Sequence, residues 1–131
     1  MDIINALVID DDKAVRMIAV CGLSGRGVNV LAAADTGEAD AILEKEKIDV
    51  IVCDVLLEDE DGLSYCQRLR SAGVRVPLMF LSTLGDPVTV SIGMTSGASA
   101  YMVKPFDLQE LYERICKLAC GPSPSADTQA A

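Results

Sequence analysis

Residues 4–12 read INALVIDDD, an apolar run that passes directly into three aspartates. Further apolar runs occupy residues 49–53 (DVIVC), 78–82 (LMFLS) and 100–103 (AYMV), and a weaker one covers residues 29–34. Runs that are continuous rather than alternating are typical of strands with both faces covered, as in a parallel sheet. The pattern therefore predicts five buried strands, most of which lead directly into polar residues.

Amphipathic stretches separate the predicted strands and favour helices. Their positions are residues 13–24, 37–46, 62–72, 86–97 and 107–119. The last stretch is the clearest, because its large apolar residues repeat at helical spacing after Asp107, a candidate N-cap. The first is apolar almost all round, which predicts a well-covered helix. The fourth contains β-branched residues and Gly93, which predict a short or frayed helix.

Five alternations of strand and helix with short connections indicate a doubly wound α/β domain. The length of 131 residues suits one such domain, which we place at residues 1–120. Residues 121–131 (GPSPSADTQAA) have no apolar pattern, and we expect a disordered tail or the stub of a linker there.

The composition argues against several classes of function. A formal charge of −9 disfavours direct contact with nucleic acid or with an anionic membrane surface. No apolar run is long enough for a transmembrane helix, and the N-terminus lacks the positive charge that begins a signal peptide. Five cysteines without a C-x-x-C pair favour reduced thiols and a cytoplasmic protein. Without histidine, the sequence has neither a Ser-His-Asp triad nor a phosphohistidine of its own.

Polar side chains cluster where the predicted strands end. They are Asp10, Asp11 and Asp12 after the first strand, Asp54 after the third, Ser82 and Thr83 at the end of the fourth, and Lys104 after the fifth. Ligands of open parallel sheets bind outside the carboxyl ends of the strands, so we expect these side chains at one edge. Asp12 precedes a predicted helix and is interpreted as its N-cap.

Carboxylates that share a crevice repel each other unless a positive charge lies between them. Lys104 supplies one such charge, and the remaining negative excess favours Mg²⁺, which prefers oxygen ligands. A cation and an ammonium group at this edge would stabilise a phosphoryl group on Asp54, whose carboxylate would be the nucleophile. The residues themselves therefore indicate Mg²⁺-dependent phosphoryl transfer to Asp54.

From residue 3 to residue 119 the sequence resembles the receiver domains of two-component response regulators. The motifs that carry the resemblance are Asp10-Asp11, Asp54, Asp61-Gly62, Ser82, Gly97-Ala98 and Lys104-Pro105-Phe106. The resemblance implies a flavodoxin-like fold, with a five-stranded parallel sheet of order 2-1-3-4-5 and five helices. It also implies a signalling module that is not an enzyme, apart from promoting its own phosphorylation and dephosphorylation.

The resemblance further implies a metal and phosphorylation site. Asp54 would accept a phosphoryl group from a sensor histidine kinase or a phosphotransfer protein. Asp10 and Asp11 would hold Mg²⁺ beside Asp54, and the main-chain carbonyl of Leu56 would be a further ligand.

A switch is implied as well. Ser82 would bond the phosphoryl group and shift on activation, and Lys104, followed by a cis bond to Pro105, would pair with that group. Tyr101 occupies the position of the family's aromatic switch residue. The output surface would lie within residues 86–119 and bind a downstream target protein, an output domain or a second copy in a homodimer.

Three departures from the family pattern surround Asp54. Glu58 stands where receivers usually carry a proline, so we expect the acidic loop of residues 58–61 to be solvated and flexible. Thr83 replaces a very small residue, and its side chain would narrow the entrance to Asp54. Leu56 and Leu84 flank the site and have no polar group to orient an attacking water, which predicts slow loss of the phosphoryl group.

Two alternative functions fit parts of the sequence. A pseudo-receiver would share the fold and bind partners without being phosphorylated. A phosphohydrolase of the haloacid-dehalogenase type would use Asp10 and Asp12 as a D-x-D motif, although Ala14 stands where that motif carries threonine.

Overall fold

In the computed structural model, which describes residues 3–120, five strands form one parallel sheet. The strands are β1 (Ile4–Ile9), β2 (Val28–Ala33), β3 (Val50–Cys53), β4 (Leu78–Ser82) and β5 (Ala100–Val103). Their order across the sheet is β2-β1-β3-β4-β5, and every pairing is parallel. The flavodoxin-like doubly wound fold is therefore confirmed. The tail predicted at residues 121–131 lies outside the described residues.

Helices connect the strands. They are α1 (Lys13–Ser24), α2 (Thr36–Lys45), α3 (Gly62–Ser71), α4 (Pro87–Thr95) and α5 (Leu108–Cys120). Aspartate carboxylates cap the first four by accepting a backbone N–H, and each such cap stabilises its helix by about 1 kcal/mol. The N–H of Ala14 donates to Asp12 over 2.9 Å, which confirms the cap predicted for α1. None of the described helices combines the length and the apolar character that crossing a membrane requires.

Two aliphatic cores lie on opposite faces of the sheet. Leu23 of α1 and Ile115 of α5 are buried on one face. Tyr65 and Leu69 of α3 are buried on the other, which α2 also covers. With both faces covered, β3 and β4 are buried along their whole length, as their continuous apolar sequences predicted.

The prediction that α1 is well covered is wrong. Val15, Ala19 and Leu23 form its buried stripe, whereas Met17 and Ile18 are 55% and 49% exposed. An apolar helix is fully buried only when elements pack around it on all sides, and α1 contacts the sheet on one side and α5 on another.

The helix predicted to be short, α4, has nine residues. Gly93 is one of the residues whose propensity disfavours a helix here, and the structure gives a reason for that glycine. A Cβ at Gly93 would lie 3.1 Å from the ring of Tyr101 and 3.2 Å from that of Phe80. The missing side chain therefore lets α4 pack closely over β4 and β5.

Gly62 begins α3 directly against the main chain of Asp54. Its N–H donates to the Val55 carbonyl over 2.7 Å, and a Cβ at this position would lie 2.2 Å from the Asp54 carbonyl oxygen. That distance is far below van der Waals contact with a rigid main-chain atom. The Asp61-Gly62 motif therefore combines a helix cap with a residue that lets α3 approach the end of β3.

We expect Gly62→Ala to lower the free energy of unfolding by about 1–3 kcal/mol, because α3 must move away from β3. Urea denaturation followed by circular dichroism measures this loss. Gly37→Ala in α2 is the matched control: its Cβ would meet the nearest atom, Asp35 Oδ1, at an ordinary 3.4 Å. That variant should be neutral or more stable by up to about 1 kcal/mol, and equal stability of the two variants would contradict this account.

Candidate functional site

The sheet brings Asp10, Asp54 and Lys104 together at the carboxyl ends of its strands. Main-chain hydrogen bonds fix each position: the N–H of Asp10 donates to Ala33, that of Asp54 to Ile9, and that of Lys104 to Ser82, over 2.8–3.0 Å. The ladder of the sheet thus continues through the three site residues. The Lys104–Pro105 peptide bond is cis, as the family resemblance implied.

Lys104 lies between the two carboxylates. Its Nζ is 2.7 Å from Asp10 Oδ2 and 3.2 Å from Asp54 Oδ2. The side chains of Asp10 and Asp54 are only 3% and 9% exposed, so water screens their repulsion poorly. Burial raises the pKa of Asp10, and the ammonium group of Lys104 offsets only part of that rise. Burial also opposes the charge of Lys104, but its hydrogen bond to Asp10 and the two nearby carboxylates raise its pKa.

Asp11 completes a group of three carboxylates. One oxygen from each of Asp10, Asp11 and Asp54 lies within 4.8 Å of the other two. Asp11 is exposed, whereas its two neighbours are buried. Three carboxylates against one ammonium group leave a negative excess, and all the donors are hard oxygen atoms. This donor set fits Mg²⁺, which takes oxygen ligands and keeps several waters.

The main chain after β3 also contacts the site. The N–H of Leu56 donates to Asp54 Oδ1 over 3.1 Å, so one carboxylate oxygen faces this loop and the other faces Lys104. The side chain of Leu56 points outward and is 53% exposed. Sequence reasoning named this residue for its carbonyl, and the structure places its main chain beside Asp54.

Arg16 is a site residue that sequence reasoning missed. Its Nη1 donates to the main-chain carbonyl of Asp10 over 2.7 Å. The contact ties the first turn of α1 to the end of β1, where Asp10 and Asp11 lie. The spacing in the sequence could have indicated this contact. Arg16 lies one helical turn after the N-cap Asp12, so its long side chain can extend back to the end of β1.

Ser82 and Tyr101 are linked through the main chain of Leu84. Ser82 is fully buried, and its Oγ accepts the N–H of Leu84 over 3.2 Å. The hydroxyl of Tyr101 donates to the carbonyl of the same Leu84. Its ring packs against Phe80 with the centroids 5.8 Å apart, and burial raises its pKa. A displacement of Ser82 that moved the main chain of Leu84 would therefore also change the hydrogen bond of Tyr101.

Thr83 and Leu84, the other two residues noted after β4, differ in exposure. Thr83 is exposed, and Leu84 is half-buried. The effect of Thr83 on access to Asp54 stays a prediction.

The expectation of a solvated loop at residues 58–61 is confirmed for Glu58, Asp59 and Asp61, which are exposed, whereas Glu60 is half-buried. The expected flexibility stays a prediction, and three of the four acidic residues form contacts. Asp59 accepts hydrogen bonds from Thr36, Glu60 pairs with Arg68, and Asp61 caps α3. Glu58 has no hydrogen-bond partner within residues 3–120. Sequence alone does not indicate the contact of Asp59, because its partner Thr36 belongs to α2, which is distant in sequence.

Comparison with known proteins identifies the class of protein. A family model described as "Response regulator receiver domain" matches residues 6–116. The chain belongs to this family, whose members are receiver domains of two-component systems. In this family the domain is a signalling module rather than an enzyme.

Individual relatives agree with this assignment. The chain is 38% identical over 122 residues to the response regulator MprA of Mycobacterium sp. (strain KMS), covering 92% of this chain and 53% of that protein. It is 38% identical over 112 residues to the transcriptional regulatory protein TrcR of Mycobacterium tuberculosis, covering 86% of this chain and 44% of that protein. The chain thus spans about half the length of the curated relatives it matches.

Solved structures show the same fold. The Francisella response regulator 1452 receiver domain superimposes with a TM-score of 0.85 at 31% identity, covering 88% of this chain and 96% of that one. The chemotaxis response regulator CheY4 of Vibrio cholerae gives a TM-score of 0.82 at 28% identity, covering 88% and 98%. The phosphohydrolase alternative is accordingly not favoured, and Asp12 of its D-x-D motif is the cap of α1.

We expect Lys104→Met to lower the free energy of unfolding by about 1–3 kcal/mol in the presence of a metal chelator, because two buried carboxylates lose their shared ammonium group. Chemical denaturation gives the value. Lys117→Met, on the exposed side of α5, is the matched control and should change stability by no more than about 0.5 kcal/mol. A Lys104→Met variant as stable as this control would contradict the stated role of Lys104.

Proposed function

We propose that the chain is a Mg²⁺-dependent phosphoryl acceptor whose nucleophile is Asp54. The observation that carries the proposal is that the buried carboxylate of Asp54 lies beside both an ammonium group and two further carboxylates. Asp54 Oδ2 faces Lys104, Oδ1 faces the loop after β3, and Asp10 and Asp11 supply oxygen atoms within 4.8 Å. Family membership supports the same reading of these residues.

Each residue has a chemical role in this proposal. Asp10, Asp11, Asp54 and the Leu56 carbonyl would hold Mg²⁺, which when bound neutralises charge on the phosphoryl oxygens. An oxygen of Asp54 attacks phosphorus, the phosphorus–nitrogen bond of a donor phosphohistidine breaks, and the imidazole leaves with the bonding electron pair. Lys104 stays beside the product and pairs with a phosphoryl oxygen. The donor would be a sensor histidine kinase or a phosphotransfer protein, as the family suggests.

The signal would pass from Ser82 to the surface formed by residues 86–119. Ser82 would bond the new phosphoryl group, and the contacts of Leu84 would convey that shift to Tyr101. Close by, Val88 and Val103 are 68% and 43% exposed. Apolar side chains on such a surface suit a protein partner: a downstream target, an output domain or a second copy of this chain.

The net charge supports a choice of partners, and the cysteines support a choice of compartment. A charge of −9 supports protein partners rather than nucleic acid or an anionic membrane. The five cysteines are all unpaired thiols, as expected in a reducing compartment such as the cytoplasm.

Incubation with acetyl phosphate and Mg²⁺, followed by intact mass spectrometry, tests the proposal. We expect a gain of one phosphoryl group, lost on removal of Mg²⁺ and in Asp54→Asn. Asp12→Asn is the matched control, because Asp12 directly follows Asp10 and Asp11 in the sequence but caps α1. We expect this variant to be phosphorylated like the wild type. Absence of phosphorylation would instead favour a pseudo-receiver, and labelling that survives Asp54→Asn would assign the nucleophile elsewhere.

The phosphoryl group should be lost slowly, because Leu56 and Leu84 cannot orient an attacking water. We expect Leu84→Glu to shorten the lifetime of the phosphorylated protein at least severalfold, since a carboxylate there can accept a hydrogen bond from that water. Leu84→Met is the control for the half-buried position and should keep the wild-type lifetime. The lifetime is measured by intact mass after removal of acetyl phosphate, in variants whose circular dichroism matches the wild type. Equal lifetimes of the two variants would refute the role of the leucines.

A further inference from the structure

We propose that hydrogen bonds between Thr36 and Asp59 hold the loop of residues 55–61 in the conformation that Mg²⁺ binding requires. Thr36 and Asp59 are then positioning residues, acting through the main chain of Leu56. This inference rests on the proposed function, because it concerns the affinity of the same metal site.

The contact joins two elements that are distant in sequence. Asp59 Oδ2 accepts the Oγ–H of Thr36 over 2.7 Å and the N–H of Thr36 over 3.1 Å. Thr36 is buried and is the first residue of α2, so the carboxylate of Asp59 also lies at the positive end of that helix. The hydrogen bonds from Thr36 lower the pKa of Asp59, because they stabilise its charged form.

The loop is held at its ends by local contacts and in its middle by Asp59. At the start, the N–H of Leu56 donates to Asp54, and at the end Gly62 donates to Val55. Between these points the loop is connected to α2 by the hydrogen bonds that Thr36 donates to Asp59.

Glu60 forms a second contact between the loop and the helices, which we expect to be weaker. It pairs with Arg68, which also contacts Asp40 of α2. The side chain of Arg68 is 47% exposed, and exposed ion pairs contribute little because water and salt screen them. Asp59 is exposed as well, but its partner Thr36 is buried and donates both a hydroxyl and a main-chain N–H, so we expect these bonds to be the stronger restraint on the middle of the loop.

Such a restraint matters because Leu56 lies three residues before Asp59. A loop that samples several conformations must be ordered when its carbonyl binds a cation, and this ordering reduces affinity. The hydrogen bonds between Thr36 and Asp59 would reduce this cost, because they restrict the loop before the cation binds.

Calorimetric titration with Mg²⁺ alone tests the inference. Thr36→Val keeps the size and the charge of the residue but removes the hydroxyl donor, and we expect Mg²⁺ to bind about three- to tenfold more weakly. Asp59→Ala should weaken binding at least as much, and the double variant should be no weaker than Asp59→Ala alone, because both changes break one contact. Glu58→Ala is the matched control, since it removes a neighbouring carboxylate that has no hydrogen-bond partner within residues 3–120.

Hydrogen exchange measured without Mg²⁺ gives an independent readout. The amides of residues 55–61 should exchange faster in Thr36→Val than in the wild type, while those of β1 and β4 should not change. Thr36→Val with wild-type Mg²⁺ affinity and wild-type exchange would overturn the inference. A loss of affinity in Glu58→Ala as large as that in Asp59→Ala would also overturn it, because charge alone would then explain both.

The outcome is separable from that of the proposed function. If the wild type binds Mg²⁺ and is phosphorylated on Asp54 while Thr36→Val behaves identically, only the positioning role fails. If the wild type does not bind Mg²⁺, both fail.

Discussion

The repulsion between the buried carboxylates of Asp10 and Asp54 is the constraint on which the rest of the site depends. Each carboxylate follows a central strand, and the covered faces of the sheet leave them little contact with water. Lys104 lies against both, but one ammonium group cannot balance the three carboxylates that converge there. A folded chain that keeps such an excess of negative charge gives up stability, and the binding of a cation would relieve that repulsion.

The geometry around this cluster is set by contacts that do not involve the three carboxylate groups. Gly62 lets α3 approach the main chain of Asp54, and Arg16 ties the end of β1 to α1. Thr36 and Asp59 connect the loop after β3 to α2. These contacts come from different helices and meet at one edge of the sheet. The helices as well as the strands therefore determine where the carboxylates lie.

The strands and the residues at their ends could be predicted because their signals are local. Continuous apolar runs identify buried strands, and parallel strands bring their carboxyl ends to one edge, which predicts that Asp10, Asp54 and Lys104 meet. The bonds of Asp59 could not be predicted, because the loop sequence is uniformly acidic and its partner Thr36 lies on α2. The exposure of Met17 was missed for a similar reason: an apolar sequence does not show which neighbours are present to cover it. The switch roles of Ser82 and Tyr101 stay predictions, although the structure links both to Leu84.

A crystal structure of the chain with Mg²⁺ and beryllofluoride would show whether Asp54 is the nucleophile, since beryllofluoride imitates a phosphoryl group bonded to a carboxylate. We expect beryllium bonded to an oxygen of Asp54, a fluorine beside Lys104 Nζ, and Mg²⁺ held by Asp10, Asp11, Asp54 and the Leu56 carbonyl. Beryllium bonded to Asp10, or Mg²⁺ bound away from the three carboxylates, would contradict this assignment.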